Sequence, residues 1–234
     1  MKKISQEGLK EILEKHSLWL LEKEGGERAN LKGIDLCDTD LKGIDLCNTD
    51  LRGIDLCNTD LRGANLCNAD LRYTSLCNAD LRGANLEGAD LEEANLKGAN
   101  LRGANLRGVN LRYSNLEGIK TDINTIGYSL ACPEEGSFIG YKKANGCIVK
   151  LLILENSKRS SATTVKCRCD KAKVLEIKEI ETGRKVKRVS SNYDFDFIYE
   201  VGKVVTVDDF DEDRWSECST GIHFFMNKEN ALNY

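Results

Sequence analysis

Several things are scarce in this chain of 234 residues, and each absence narrows what it does. No apolar stretch approaches the roughly 20 residues that a membrane-spanning helix needs. The opening Met1-Lys2-Lys3-Ile4 runs into Ser-Gln-Glu rather than an apolar core, so no signal peptide is expected, and a cytoplasmic protein without membrane contact follows. Charge of one sign is also lacking: 34 basic against 38 acidic residues give −4, too weak a field to argue for nucleic acid. No Gly-rich phosphate cradle and no Cys-X2-Cys pair occurs, so neither a nucleotide fold nor a zinc ribbon is signalled. Proline occurs once, at Pro133, and histidine twice, at His16 and His223.

What is present is a leucine at every fifth position: Leu31, Leu36, Leu41, Leu46, Leu51, Leu56, Leu61, Leu66, Leu71, Leu76, Leu81, Leu86, Leu91, Leu96, Leu101, Leu106, Leu111 and Leu116. A period of five matches neither a lone helix nor a flat strand, and so marks a repeat. Each unit is too small to bury its own leucine, so the units must stack into one shared core. The consensus is Ala-(Asp/Asn)-Leu-X-X, as in Ala64-Asn65-Leu66-Cys67-Asn68. Glycines at Gly33, Gly43, Gly53, Gly63, Gly83 and Gly88 suit tight turns. This pattern resembles the pentapeptide-repeat family. The resemblance implies a right-handed quadrilateral β-helix with four pentapeptides per coil, leucine and the small residue two before it pointing inward. Eighteen units then make a rod on the order of 20 Å long at strand spacing.

With four faces per coil, residues twenty apart stack. Lys32, Arg52 and Arg72 share one face, and Lys42, Arg62, Arg82 and Arg102 the opposite one. Cys37, Cys57 and Cys77 share a third face, Cys47 and Cys67 the fourth. Stacked thiols would have Cα atoms about 4.8 Å apart, inside the disulfide window, but a reducing cytosol favours free thiols. The whole net charge lies before Leu81, where aspartate precedes most leucines.

An open solenoid end needs covering. Residues 1–28 read as a capping helix, with Ser5 as N-cap and Leu9, Ile12, Leu13, His16, Trp19 and Leu20 at helical spacing before Gly25-Gly26. His16 lies on the apolar stripe and reads as structural. Residues 29–126 form the β-helix, with Ile126 as its last inward residue. Residues 127–234 change composition and read as a small, mainly β domain with minor helix. Ala144-Asn145-Gly146 marks a hairpin between Phe138–Lys142 and Cys147–Leu154. Further strands are expected over 173–180, 186–190, 193–199 and 204–207, and Asn227 opens a short last helix.

The C-terminal part resembles a domain of unknown function that follows pentapeptide repeats in phage and bacterial proteins. The residues that carry the likeness are Cys132-Pro133-Glu134-Glu135-Gly136-Ser137-Phe138, Lys158-Arg159-Ser160-Ser161 with Lys166-Cys167-Arg168, and Phe210-Asp211-Glu212-Asp213-Arg214-Trp215 before Cys218 and Gly221–Phe225. No activity comes with it. Three constellations carry candidate chemistry. Cys218 with His223 is a thiol–imidazole pair without an evident third group, against a buried thiol and a core histidine. Cys132, Cys167, Cys169, Cys218 and His223 could supply soft metal ligands. Lys158, Arg159, Ser160, Ser161, Lys166 and Arg168 could hold a phosphate from a polar loop, or only bridge strands.

The expectation is a non-enzymatic interaction scaffold or adaptor without cofactor, whose rod positions a C-terminal recognition domain for a protein partner. The alternatives are a DNA-mimicking β-helix that binds DNA gyrase, as the likeness to quinolone-resistance pentapeptide proteins implies, and a small Cys/His enzyme or zinc site in the C-terminal domain. Stacked Lys and Arg on two faces speak against mimicry.

Overall fold

The computed structural model describes residues 2–216 and 218–234. The chain divides into two compact units, Met1–Ser129 and Leu130–Tyr234. The first begins with a two-residue strand β1 (Lys2–Lys3) and helix α1 (Gln6–Leu20). Ser5 starts the helix because its Oγ accepts the Gly8 N–H at 3.1 Å, satisfying one donor that a first turn leaves open. β1 pairs in parallel with β2 (Ile34–Asp35), on the first coil.

Beyond α1 the chain winds in coils of twenty residues. Parallel bridges join positions twenty apart, from Asn30↔Asp50 through Asn100↔Lys120. Each pentad adds the same two bonds: Leu71 N–H donates to Asp90 O at 2.7 Å, and Asp70 N–H to Thr49 O at 3.0 Å. The leucines from Leu31 to Leu111 are buried, none more than 4% exposed. Leu116, read as core with the rest, is only half-buried, since the register is lost in the segment after it. Thr59 and Thr74, which replace the inner alanine, are buried too, and their hydroxyls donate to the preceding coil, to Leu36 O and Leu51 O at 2.9 Å.

The residue two after each leucine takes the turn in a left-handed conformation. Glycine serves at Gly53 (φ 64°) and Gly63 (φ 65°), and the Asn48, Asn58, Asn68 and Asn78 series fills the same role. The repeat ends one residue out of phase. Ile126 pairs with Asn105, 21 positions before it, and its side chain is 48% exposed, so it is not the last inward residue. Thr125 is inward instead, its Oγ1 donating to Leu101 O at 3.0 Å, and Gly127 stands where a leucine would follow. A Cβ on Gly127 would lie 3.0 Å from the Leu106 carbonyl and Arg107 nitrogen.

The second unit holds a seven-stranded sheet. Its strands are β3 (Phe138–Ala144), β4 (Cys147–Ile153), β5 (Arg159–Ser161), β6 (Lys166–Cys169), β7 (Lys171–Glu179), β10 (Val204–Thr206) and β11 (Ile222–Phe225), in the order β10-β7-β4-β3-β11-β6-β5. A separate pair joins β8 (Arg188–Ser190) to β9 (Ile198–Glu200), and helix α2 (Lys228–Asn233) starts at N-cap Asn227. Asn145 and Gly146, both at positive φ, make the β3–β4 turn that their sequence signals. Val149, Leu151, Val174, Ile177 and Phe224 fill the core on one face. Gly140 lets β3 approach it, since a Cβ there would sit 2.6 Å from the Phe224 ring. The expected strand over 193–199 is confined to its last two residues, extended by Glu200, and β5 and β6 occupy what reads as loop.

Candidate functional site

On the rod, the side chains that could meet a partner stand in columns. Arg52 Nη2 is 2.6 Å from Asp50 and its Nε 3.4 Å from Asp70, one coil on. Arg72 repeats this with Asp70 at 2.6 Å and Asp90 at 3.5 Å. The other basic face carries the same ladder, Arg62 on Asp60 and Asp80 and Arg82 on Asp80. These hydrogen bonds hold the Asp50 and Asp60 carboxyls down at about 2. A third column is an amide ladder: Asn105 Nδ2 donates to Asn85, Asn85 to Asn65, and Asn65 to the Asp45 carboxylate, at 3.0–3.1 Å.

Cys47 and Cys67 are joined as a disulfide with Cα atoms 4.7 Å apart, which corrects the expectation of free thiols throughout. Coil stacking alone brings them into range. Cys37, Cys57 and Cys77 are free, with burial pushing the Cys57 thiol up to about 11. His16 is structural: Nδ1 accepts from Ala29 N–H at 3.2 Å, and Nε2–H donates to Cys47 O at 3.1 Å. Between α1 and the first coil lies a groove of about 1000 Å³. Ile4, Leu9, Leu13 and Ile44 line it, with Glu7, Asp35, Asp38 and Asp40 beside them. Nothing in the pentad spacing signals it, because it depends on where α1 lies.

In the second unit the basic cluster is largely turned inward. Arg159 aims its guanidinium at five main-chain carbonyls, among them Gly136 at 2.9 Å and Glu155 at 2.7 Å. Arg168 is 1% exposed and donates to Asp211 O, Thr220 O and Asp213 O at 2.8–2.9 Å. Ser160 and Ser161 are buried, and Ser161 Oγ accepts from Ala131 N–H at 2.8 Å. Lys158 pairs with Glu212, and Lys166 Nζ donates to Cys218 Sγ and Tyr234 Oη at 3.2 Å. These residues organise β5, β6 and the 208–215 segment rather than a phosphate loop.

Cys218 and His223 go to different partners. The Cys218 sulfur receives Lys166, whereas His223 Nε2–H donates to Ser219 O at 3.0 Å. Burial, then the Lys166 and Lys142 charges, pull His223 down to about 4, so it is neutral. Burial likewise lowers Lys142 to about 8. The metal candidates are split across the sheet: Cys167 and Cys169 face the core with Cys132, while Lys166, which holds Cys218, alternates to the other side. Among the described residues no group of three or more His, Cys, Asp or Glu is disposed to hold a metal ion. Among them, too, no helix is long and apolar enough to cross a membrane.

Coils of four pentads around a leucine core define a β-helix solenoid. Residues 27–63, 59–98 and 89–120 each match the family described as Pentapeptide repeats (8 copies), and residues 128–231 match a family of unknown function, DUF5758. The chain belongs to the pentapeptide-repeat proteins, with this second domain following the repeats. Solved structures similar to it include a pentapeptide repeat protein of the Arabidopsis thaliana thylakoid lumen, 35% identical over 38% of this chain and 63% of that one, with a TM-score of 0.38. Another comes from Nostoc, 36% identical over 48% of this chain and 80% of that one, with a TM-score of 0.19. A trypsin-treated QnrB1, a plasmid-mediated fluoroquinolone resistance protein, is 20% identical over 42% of this chain and 66% of that one, with a TM-score of 0.22. The chain thus spans less than two thirds of the length of the thylakoid and QnrB1 proteins. No curated protein matches it.

Proposed function

We propose that this protein is a non-enzymatic interaction scaffold, a right-handed four-sided β-helix capped by α1 and followed by a recognition domain. The observation that carries this reading is the filled interior of the rod: its leucines are buried from Leu31 to Leu111, so what the rod offers is surface in repeating columns. A surface of that kind binds a partner; it does not enclose a substrate. The proposed partner is a protein, met in the cytoplasm, and neither membrane nor nucleic acid is invoked.

Proximity labelling with the full chain tests this. Charge reversal on one ladder (Arg52→Glu with Arg72→Glu) or on the other (Arg62→Glu with Arg82→Glu) should remove a labelled protein in one case only. A labelling pattern indifferent to both, and to Lys158→Glu in the second unit, would count against a docking rod. Gyrase mimicry is the second reading, favoured by the aspartates before Leu81 and opposed by the arginines that neutralise them on two faces. A supercoiling assay separates the two: the scaffold reading expects no change, and inhibition by the full chain would favour mimicry.

A further inference from the structure

The second unit contains a cysteine pair that the scaffold reading does not use. Ala131 N–H is tied to Ser161 Oγ at 2.8 Å, and Ser161 is the register partner of Cys167 on β6. The next residue, Cys132, is thereby brought into the same buried cluster as Cys167, whose thiol donates to Val165 O at 3.9 Å. The chain beyond Cys132 is held by Arg159, which binds the carbonyls of Pro133 and Gly136. Arg214 holds the other end of β5, its Nε donating to Ser161 O at 3.1 Å and its Nη2 to Ala162 O at 3.4 Å. The Arg159 and Arg214 charges favour thiolate at Cys132.

The neighbouring cysteines differ. Burial pushes the Cys147 and Cys169 thiols up, whereas the Cys167 thiol and the charges of Arg159 and Arg214 pull Cys132 down. Cys132 keeps 5% exposure and Cys167 none, so only a small oxidant reaches the pair.

We propose that Cys132 and Cys167 are an oxidisable dithiol that reacts with small hydroperoxides, Cys132 as the attacking sulfur and Cys167 as the resolving one. The Cys132 thiolate attacks the terminal oxygen of ROOH, the O–O bond breaks, and the alcohol ROH leaves with a proton. The Cys167 sulfur then attacks the Cys132 sulfenic acid; an S–S bond forms, and the hydroxyl leaves with the Cys167 proton as water. Two thiols and one hydroperoxide give one disulfide, one alcohol and one water, the two electrons coming from the sulfurs. The bond would staple the start of this unit to β6, next to Phe224 and the sheet core.

The test is the full-length protein, reduced selectively enough to leave Cys47–Cys67 closed, then titrated with hydrogen peroxide and mapped by peptide mass. The expected result is a Cys132–Cys167 cross-link after one equivalent, formed before exposed Cys218 is modified. Cys167→Ser should leave a sulfenic acid at Cys132 that dimedone traps. Cys132→Ser should abolish the cross-link and leave Cys218 as the first thiol modified. The wild-type map depends on neither variant folding. If Cys218 or the rod thiols oxidise first while Cys132 and Cys167 stay reduced, the proposal is overturned.

Discussion

Tyr73 sits at a turn position with φ 61° and is 58% exposed, where most of the series uses glycine or asparagine. A left-handed conformation costs an L-residue about 1 kcal/mol or more. Tyr73→Gly is therefore expected to raise stability by about 1 kcal/mol, read as a higher denaturant midpoint; a lower midpoint would mean that the ring contributes packing. Leu71, fully buried in the same pentad, goes the other way: Leu71→Ala should cost about 3–5 kcal/mol. His16 adds a pH effect. Burial lowers its folded pKa below the ordinary 6.5, so the neutral ring stabilises the fold fully above that value. Stability should fall as pH drops below about 6.5, because protonating Nδ1 ends its acceptance from Ala29 N–H. Melting curves of wild type and His16→Phe at pH 7.5 and 5.5 check this: the variant should be less stable at pH 7.5 and lose this part of the pH dependence. At this scale the leucine spacing was legible because it needs only the sequence period. The asparagine turns were legible in principle, since Asn48 to Asn78 share one position with the glycines.

Among elements, the ion-pair ladders make a second pH prediction. Asp50 and Asp60 titrate at about 2 in the fold against about 3.9 unfolded. A depressed carboxyl stabilises above its unfolded value and ceases to as pH falls through the folded one, so the rod should weaken between about pH 4 and 2. Because these side chains are partly exposed, 1 M salt should flatten the effect; a salt-independent transition would show that the ladders are not its source. The rod's end gives a steric prediction. Gly127→Val puts a branched side chain at φ 80° against the Leu106 carbonyl and should cost more than Gly63→Ala, where a Cβ meets nothing within 4 Å. Strands β5 and β6 were not legible for a physical reason. Arg159-Ser160-Ser161 and Lys166-Cys167-Arg168-Cys169 carry the charge of a loop, and their burial rests on carbonyls delivered from residues 133–136 and 211–220, which no local pattern announces. Cys132 and Cys167 lay among the sequence candidates, but their meeting depends on that same long-range placement.

For the whole chain, the Cys47–Cys67 bond closes a loop of about twenty residues and should contribute about 3 kcal/mol. Cys47→Ser or reduction should lower the unfolding midpoint accordingly, and the redox state of this bond in cells would report the compartment. The coil period has a further consequence, in angular phase. One pentad turns the chain through a quarter of a coil, so a five-residue insertion after Leu76 would carry Arg82 off the Arg62 column onto that of Cys67, and the Arg62–Asp80 and Arg72–Asp90 contacts would be lost. Ten inserted residues would exchange the two ladders and let arginine meet aspartate again, with partners swapped. Twenty would restore every column. The length of this rod is thus quantised twice, in steps of ten for its charge register and of twenty for its full surface.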